Sequence, residues 1–376
     1  MSKKNGTTPS SFAAAGAVAL AAVFALLIRY SSDAAEAVRQ GIGICVSGVI
    51  PSLFPMMFLS QYMVKSGAAE AAGSLLHKPT RLLFGLPGVC GVALLTAFVG
   101  GYPAGARAAE TLFAEGKITR REGERLADIA FCSGPGFAIG MIGAQLYKSK
   151  TAGLLILTSQ VFSCIITGIG NRLFFGGSDA RENSRSNVTA TSSSHQDAFV
   201  QSVSDTASVL LNMCSFIIVF QIITSLLGLT GVNSALGNMT EHIGLGNAGE
   251  ILLPCIAEVT GGCMLSVNAG IPFTAFVAGF GGLSVHFQNY AICRSVHPKK
   301  TVYFVTRIIQ GALCSLMASL FLKLPFFSSV ALPVSGRAVN GLTAGFSDVS
   351  AGFGCAMLAM CLMSVICLPS EKEMKT

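Results

Sequence analysis

Leu95-Thr-Ala-Phe-Val-Gly-Gly-Tyr-Pro-Ala-Gly-Ala-Arg107 is an apolar stretch broken at its middle by two glycines and a proline. A second broken stretch, Leu253-Pro-Cys-Ile-Ala-Glu-Val-Thr-Gly-Gly-Cys263, stands at the matching place in the other half of the chain. Each follows a full-length apolar helix, the first centred near Phe54 and the second near Ser215. Helix and break are about 45 residues apart in both halves, and paired interruptions of this kind point to a transporter binding site.

The bulk composition places the chain in a bilayer. Of its 376 residues 52% are hydrophobic and only 11% are charged, against about a quarter charged in soluble domains. Several windows reach the length that crosses the hydrocarbon core, about 20 residues. The 42 glycines suit close helix packing. Tryptophan is absent, so Tyr and Phe must supply any aromatic belt. The net charge of +7 resides in short loops, where it sets topology and gives no sign of nucleic-acid binding. The 12 cysteines form neither a CxxC pair nor a zinc spacing and read as small core residues.

These features predict an all-α polytopic membrane protein of two inverted repeats, each with a re-entrant helical hairpin, and about eight spanning helices. Residues 1–40 hold an N-terminal helix, read as uncleaved although Ser31–Ala37 offers small residues for signal cleavage. The first repeat covers 41–175. Its opening helix, about Gly41 to Val64, carries Pro51 and Pro55 and should kink. A surface helix follows over Ala68–Leu83, then a hairpin near 85–115, and then a basic loop with Lys117, Arg120, Arg121 and Arg125. A span interrupted at Ser133-Gly-Pro-Gly136 and a span from Ala152 to Phe174 complete this half. A polar linker over 176–205 leads to the second repeat, 206–325, with its hairpin near 248–270. Its next span, Pro272–Cys293, is interrupted near Gly281–Gln288. Residues 326–376 add a loop, a last helix and a tail. The basic loops place the two hairpins on opposite faces, with tips near Gly101 and Gly261 meeting in the membrane middle.

The candidate substrate contacts lie at these breaks. Gly100 and Gly101 permit a tight reversal, and Pro103 suits the first turn of the returning arm. With Tyr102 they form a tip whose free amides favour an anionic group. Gly105 belongs to the same segment, although Gly101 and Gly105 also make a GxxxG packing notch. Ser133, Gly134 and Pro135 repeat the pattern, with Ser133 as a cap for a half-helix or Pro135 as a plain kink. Glu258 is a carboxylate at membrane depth, costly there and therefore a substrate, proton or sodium contact; Thr260 adds an oxygen. Ser284, His286, Gln288 and Asn289 place polar groups at the last break, although a lone His such as His286 is more often a packed or hydrogen-bonded residue than a contact. Arg107 either faces a carboxylate or snorkels to the interface, and Asn212 reaches toward the cavity from the preceding helix. No nucleophile triad, phosphate loop or zinc signature appears, so an enzyme is not expected, and Ser133 with His286 is a weak basis for a hydrolase. No cofactor is implied. The coupling ion, proton or sodium, stays open, and the expected partners are a small-molecule substrate, the bilayer and, in an open oligomeric state, further copies of the chain.

Pro51-Ser-Leu-Phe-Pro55, Gly100-Gly-Tyr-Pro-Ala-Gly105, Ser133-Gly-Pro135, Glu258-Val-Thr260 and Gly281-Gly-Leu-Ser-Val-His286 together resemble the YlbJ/SpoVV sporulation integral membrane family over about residues 40–325. That family carries the nucleoside-recognition Gate domain and is distantly similar to concentrative nucleoside transporters. The resemblance implies transport of dipicolinic acid across the outer forespore membrane, with a nucleoside or nucleobase transporter as the alternative and a non-transporting sporulation scaffold as a third reading. One departure is Gly261, where the family tends to place Asn after Glu-Val-Thr.

Overall fold

A computed structural model describes residues 11–175, 195–242 and 248–330. Among these residues the structure is all-helical. Four helical stretches are long and apolar enough to cross a membrane: residues 31–65, 150–174, 195–229 and 300–321. Large apolar side chains on them face outward, among them Leu211, Leu316 and Phe162. Outward leucine and phenylalanine would be a liability in water and is what a lipid-facing helix requires.

The described residues open with α1 (Ser11–Arg29); α2 (Ser31–Ile44), a π-helical turn at Cys45–Val49 and α3 (Ile50–Lys65) then form one long rod. Pro51 and Pro55, the site of the expected kink, lie within the first two turns of α3, and the π turn falls just before Pro51. Pro51 has no N–H and its ring crowds the carbonyl four residues back, and widening the helix before it relieves both. The surface helix expected over 68–83 is broken into α4 (Ala68–Ser74), a single turn α5 (His77–Pro79) and a π turn at Thr80–Phe84.

The first hairpin is α6 (Cys90–Gly100) and α7 (Tyr102–Ala114), folded back on each other. The next helix, α8 (Arg120–Ile129), corrects the loop expected there, since Arg120, Arg121 and Arg125 are helical. A capping box starts it. The Thr119 hydroxyl accepts from the Glu122 N–H, and the Glu122 carboxylate accepts from the Thr119 N–H. Arg125 is buried and donates to the carbonyls of Phe84 and Gly85. After an irregular stretch the chain resumes as a π-helix, Gly136–Leu146, then α9 (Lys150–Phe175).

The second half repeats the order with α10 (His195–Leu229), α11 (Val232–His242), the hairpin α12 (Ala248–Ala257) and α13 (Val259–Ser266), then α14 (Ile271–Phe280), α15 (Gly282–Ile292) and α16 (Lys300–Phe321). The helix α10 starts twelve residues before the expected Ala207, inside the segment read as linker. Two of the eight expected crossings are pairs of short arms broken at 130–135 and at Gly281, and the expected last helix lies outside the described residues. The nine described cysteines are buried, as expected of small core residues.

Candidate functional site

Four chain breaks meet at the centre of the molecule. At the first, Gly101 takes φ 87° and ψ −172°, a conformation open to glycine. A Cβ there would lie 2.9 Å from the Ser133 carbonyl oxygen, so the first tip rests directly on the second break. The third and fourth breaks touch in the same way. A Cβ on Gly282, at φ 72°, would lie 2.8 Å from the Val259 nitrogen. Backbone packed this closely at membrane depth is tolerated where it is buried in protein or lines a cavity.

The cavity is present. It contains about 450 Å³ of empty space, its mouth included, and its polar wall is formed by both hairpin tips and both broken helices. Gly100, Gly101, Tyr102 and Pro103 come from the first tip, Ser133 from the second break, Glu258 and Thr260 from the second tip, and Ser284 and Gln288 from α15. Leu53, Met57 and Phe137 are among the apolar residues completing it. Residues as far apart in sequence as Leu53 and Gln288 thus share one chamber.

Three wall residues, Glu258, Tyr102 and Ser133, are held by specific bonds. The Glu258 carboxylate caps α13. Its Oε1 accepts from the Thr260 N–H at 2.9 Å and its Oε2 from the Gly261 N–H at 2.6 Å. Charge at a helix N-terminus is stabilised by the dipole and by these free amides. The turn therefore sits at Glu258, in extended conformation at φ −144°, and not at Gly261, which lies in the first turn of α13. A carboxylate that accepts two successive amides fixes the reversal where glycine does so in the first hairpin. The Tyr102 hydroxyl donates to the Ala278 carbonyl at 2.5 Å, which ties the first hairpin to α14.

Ser133 is anchored from behind. Its hydroxyl and its N–H both donate to Gln160 Oε1, at 2.6 and 3.2 Å. Gln310 Nε2 donates to the Phe131 carbonyl at 2.7 Å in the same break. Gln160 and Gln310 each stand ten residues beyond the start of their helices, α9 and α16, and both are buried. Neither was singled out from the sequence. A glutamine in the middle of an apolar span was the available signal, because its amide must find a partner there. Replacing Gln160 with Leu leaves two buried donors of Ser133 without an acceptor, and a stability loss of about 2–4 kcal/mol is expected. Reversible unfolding in mixed detergent measures it.

The remaining expected contacts are placed elsewhere. Gly105 packs against the Ala130 carbonyl and the Ala97 methyl, so it is a packing notch. Gly134 packs on the Gly101 backbone, and Pro135 opens the π-helix. Arg107 borders a smaller adjoining space of about 210 Å³ with Ser60 and Gln61 and is absent from the wall of the main cavity. Asn212 is exposed on α10, and Met213 and Ile217 of that helix line the cavity instead. A one-residue step on a helix turns a side chain by about 100°, so the sequence placed the right helix and the wrong face. His286 is 1% exposed and sits behind the wall among Phe131, Phe280, Tyr303 and Phe304. Asn289 is buried beside it. Among the described residues no cluster of His, Cys, Asp and Glu is arranged to hold a metal ion.

Two hairpins and two broken helices around one central chamber, within apolar outward-facing helices, are the architecture of an integral membrane protein. The chain's residues 46–176 match the Gate family, described as nucleoside recognition. Over 328 residues, 80% of this chain and 80% of the relative, it is 26% identical to the sporulation integral membrane protein YlbJ of Bacillus subtilis (strain 168). The resemblance drawn from the motifs is thus borne out. No solved structure gives a significant match.

Proposed function

We propose that this protein carries a small organic dianion across the membrane through the central cavity, with dipicolinate as the substrate. One observation supports this above the others. The N-terminal ends of α7, of the π-helix after Pro135, of α13 and of α15 all border the same chamber. Each helix N-terminus acts as roughly half a positive charge, so four amount to about +2. An ionised Glu258 leaves about +1, and a protonated one leaves the whole. A planar dicarboxylate meets that field, and the hydroxyls of Thr260 and Ser284 add neutral donors. The likeness to a sporulation integral membrane protein supports a setting in sporulation, and the outer forespore membrane is the location this reading proposes.

In this reading the two halves run in opposite senses through the bilayer, and rocking of one against the other exposes the cavity alternately to each side. A scaffold needs no chamber with a carboxylate in its wall. The second reading, a nucleoside, is favoured by the description of the Gate family and by Glu258 and Gln288 as partners for ribose and base. Equilibrium binding of labelled dipicolinate to the purified protein separates them. Competition by unlabelled dipicolinate and weak competition by uridine are expected. Tight uridine binding without dipicolinate binding would make the nucleoside the substrate.

A further inference from the structure

Behind the cavity wall lies a second polar cluster that the transport reading does not use. Arg307, 0% exposed, projects from α16 and lies over the Phe131 ring, its guanidinium carbon 4.2 Å from the centroid. It donates through Nη2 to the backbone carbonyl of Asp128, while its Nε and Nη1 have no hydrogen-bond partner. Asp128, 5% exposed, ends α8 close to this guanidinium and outside ion-pair distance, with its Oδ1 also without a partner. His286, Tyr303 and Asn289 close the cluster, and both imidazole nitrogens, the phenol oxygen and the Asn289 Oδ1 are unpartnered as well.

A buried guanidinium keeps its proton and is costly without an opposing charge. An ionised Asp128 a short movement away would draw Arg307 off the Phe131 face into an ion pair. A protonated Asp128 offers no charge, and Arg307 then does best on the aromatic face and the backbone carbonyl. The second arrangement is the one observed. The same Phe131 ring packs on Tyr102 at 4.7 Å, and Tyr102 lines the cavity.

We propose that Asp128 is a proton-binding site, and that its ionisation moves Arg307 away from Phe131 and loosens the break over residues 130–135 behind the cavity. The titratable or charged groups facing this site are Arg307 and Tyr303 of α16, His286 of α15, Cys293 just beyond it, and Glu124 of α8 itself, while Arg125 of that helix is turned to the carbonyls of Phe84 and Gly85. From α9 the neighbour is Asn171, which carries no charge. Arg307 is the one that keeps a fixed charge against the carboxylate, and Asp128 is the group whose charge can change to meet it.

The inference stands on this cluster and not on the transport reading, and both readouts use the purified full-length protein in nanodiscs without a substrate. Infrared difference spectra between about pH 6 and about pH 8 are expected to show a buried carboxyl C=O band that Asp128→Asn removes and Glu258→Gln retains. Amide exchange at residues 130–135 is then compared between wild type and Asp128→Asn at the same pH. At about pH 8 the variant should exchange roughly tenfold more slowly, and at about pH 6 the two should agree. A band insensitive to residue 128, or an exchange difference equal at both pH values, would overturn the proposal. Should Asp128→Asn fail to fold, Asp128→Glu carries the infrared test, because it shifts the band without deleting it.

Discussion

Gly101→Ala should destabilise the protein severely, and Gly261→Ala should leave it as stable as before or slightly more so. At Gly101 the backbone sits at φ 87°, where an L side chain is strained, and the new Cβ would press on the Ser133 carbonyl at 2.9 Å. That oxygen belongs to backbone in a second break and has little room to retreat. Strain of about 1–3 kcal/mol and the overlap together imply a loss of about 3 kcal/mol or more. Gly261 has ordinary helical geometry, and its nearest neighbours to a Cβ are Glu258 Oε2 at 3.5 Å and Gln221 Oε1 at 3.8 Å. Alanine there gains about 1 kcal/mol of helix propensity. Unfolding midpoints of the two variants in mixed detergent decide the matter. Equal losses would mean that both glycines form tips, contrary to the geometry at Glu258.

The second large effect is expected at Glu258, and it should divide transport from binding. Glu258→Gln retains the size of the side chain and one acceptor oxygen. Its new amide group, however, must face one of the two N–H groups at Thr260 and Gly261 that the carboxylate now accepts. Losing one charge-assisted bond costs about 1.5–3 kcal/mol at the tip. Transport by reconstituted protein should therefore fall more than tenfold while the protein still inserts and elutes as a folded species. Dipicolinate binding at equilibrium should hold or tighten, because a negative charge has left a chamber bordered by four helix N-termini. Unchanged transport would remove Glu258 from the mechanism. Weakened dipicolinate binding would mean that the carboxylate contacts the substrate in its protonated form, or that the substrate is not an anion.

The sequence by itself determined the class and the segments in which all four breaks lie. Apolar runs of spanning length, glycine and proline at their centres and the basic loops act locally, through the bilayer's demand that backbone polar groups be satisfied and through the conformations glycine and proline allow. Glu258 was legible for the same reason, since a carboxylate in an apolar segment stands out wherever the chain folds. What the sequence left undecided depends on which helix faces which. Gly101 and Gly261 look alike as letters, but the second reversal belongs to Glu258, because its carboxylate captures the two amides that follow it. Arg107 and Asn212 were assigned to the cavity from position alone, and packing turned one toward an adjoining space and the other outward. Gln160, Gln310, Asp128 and Arg307 gain their roles only when α8, α9 and α16 are brought together around the break at 130–135. Their partners lie as far as 179 residues away, and a hydrogen bond reaches about 3 Å, so tertiary packing alone could name them.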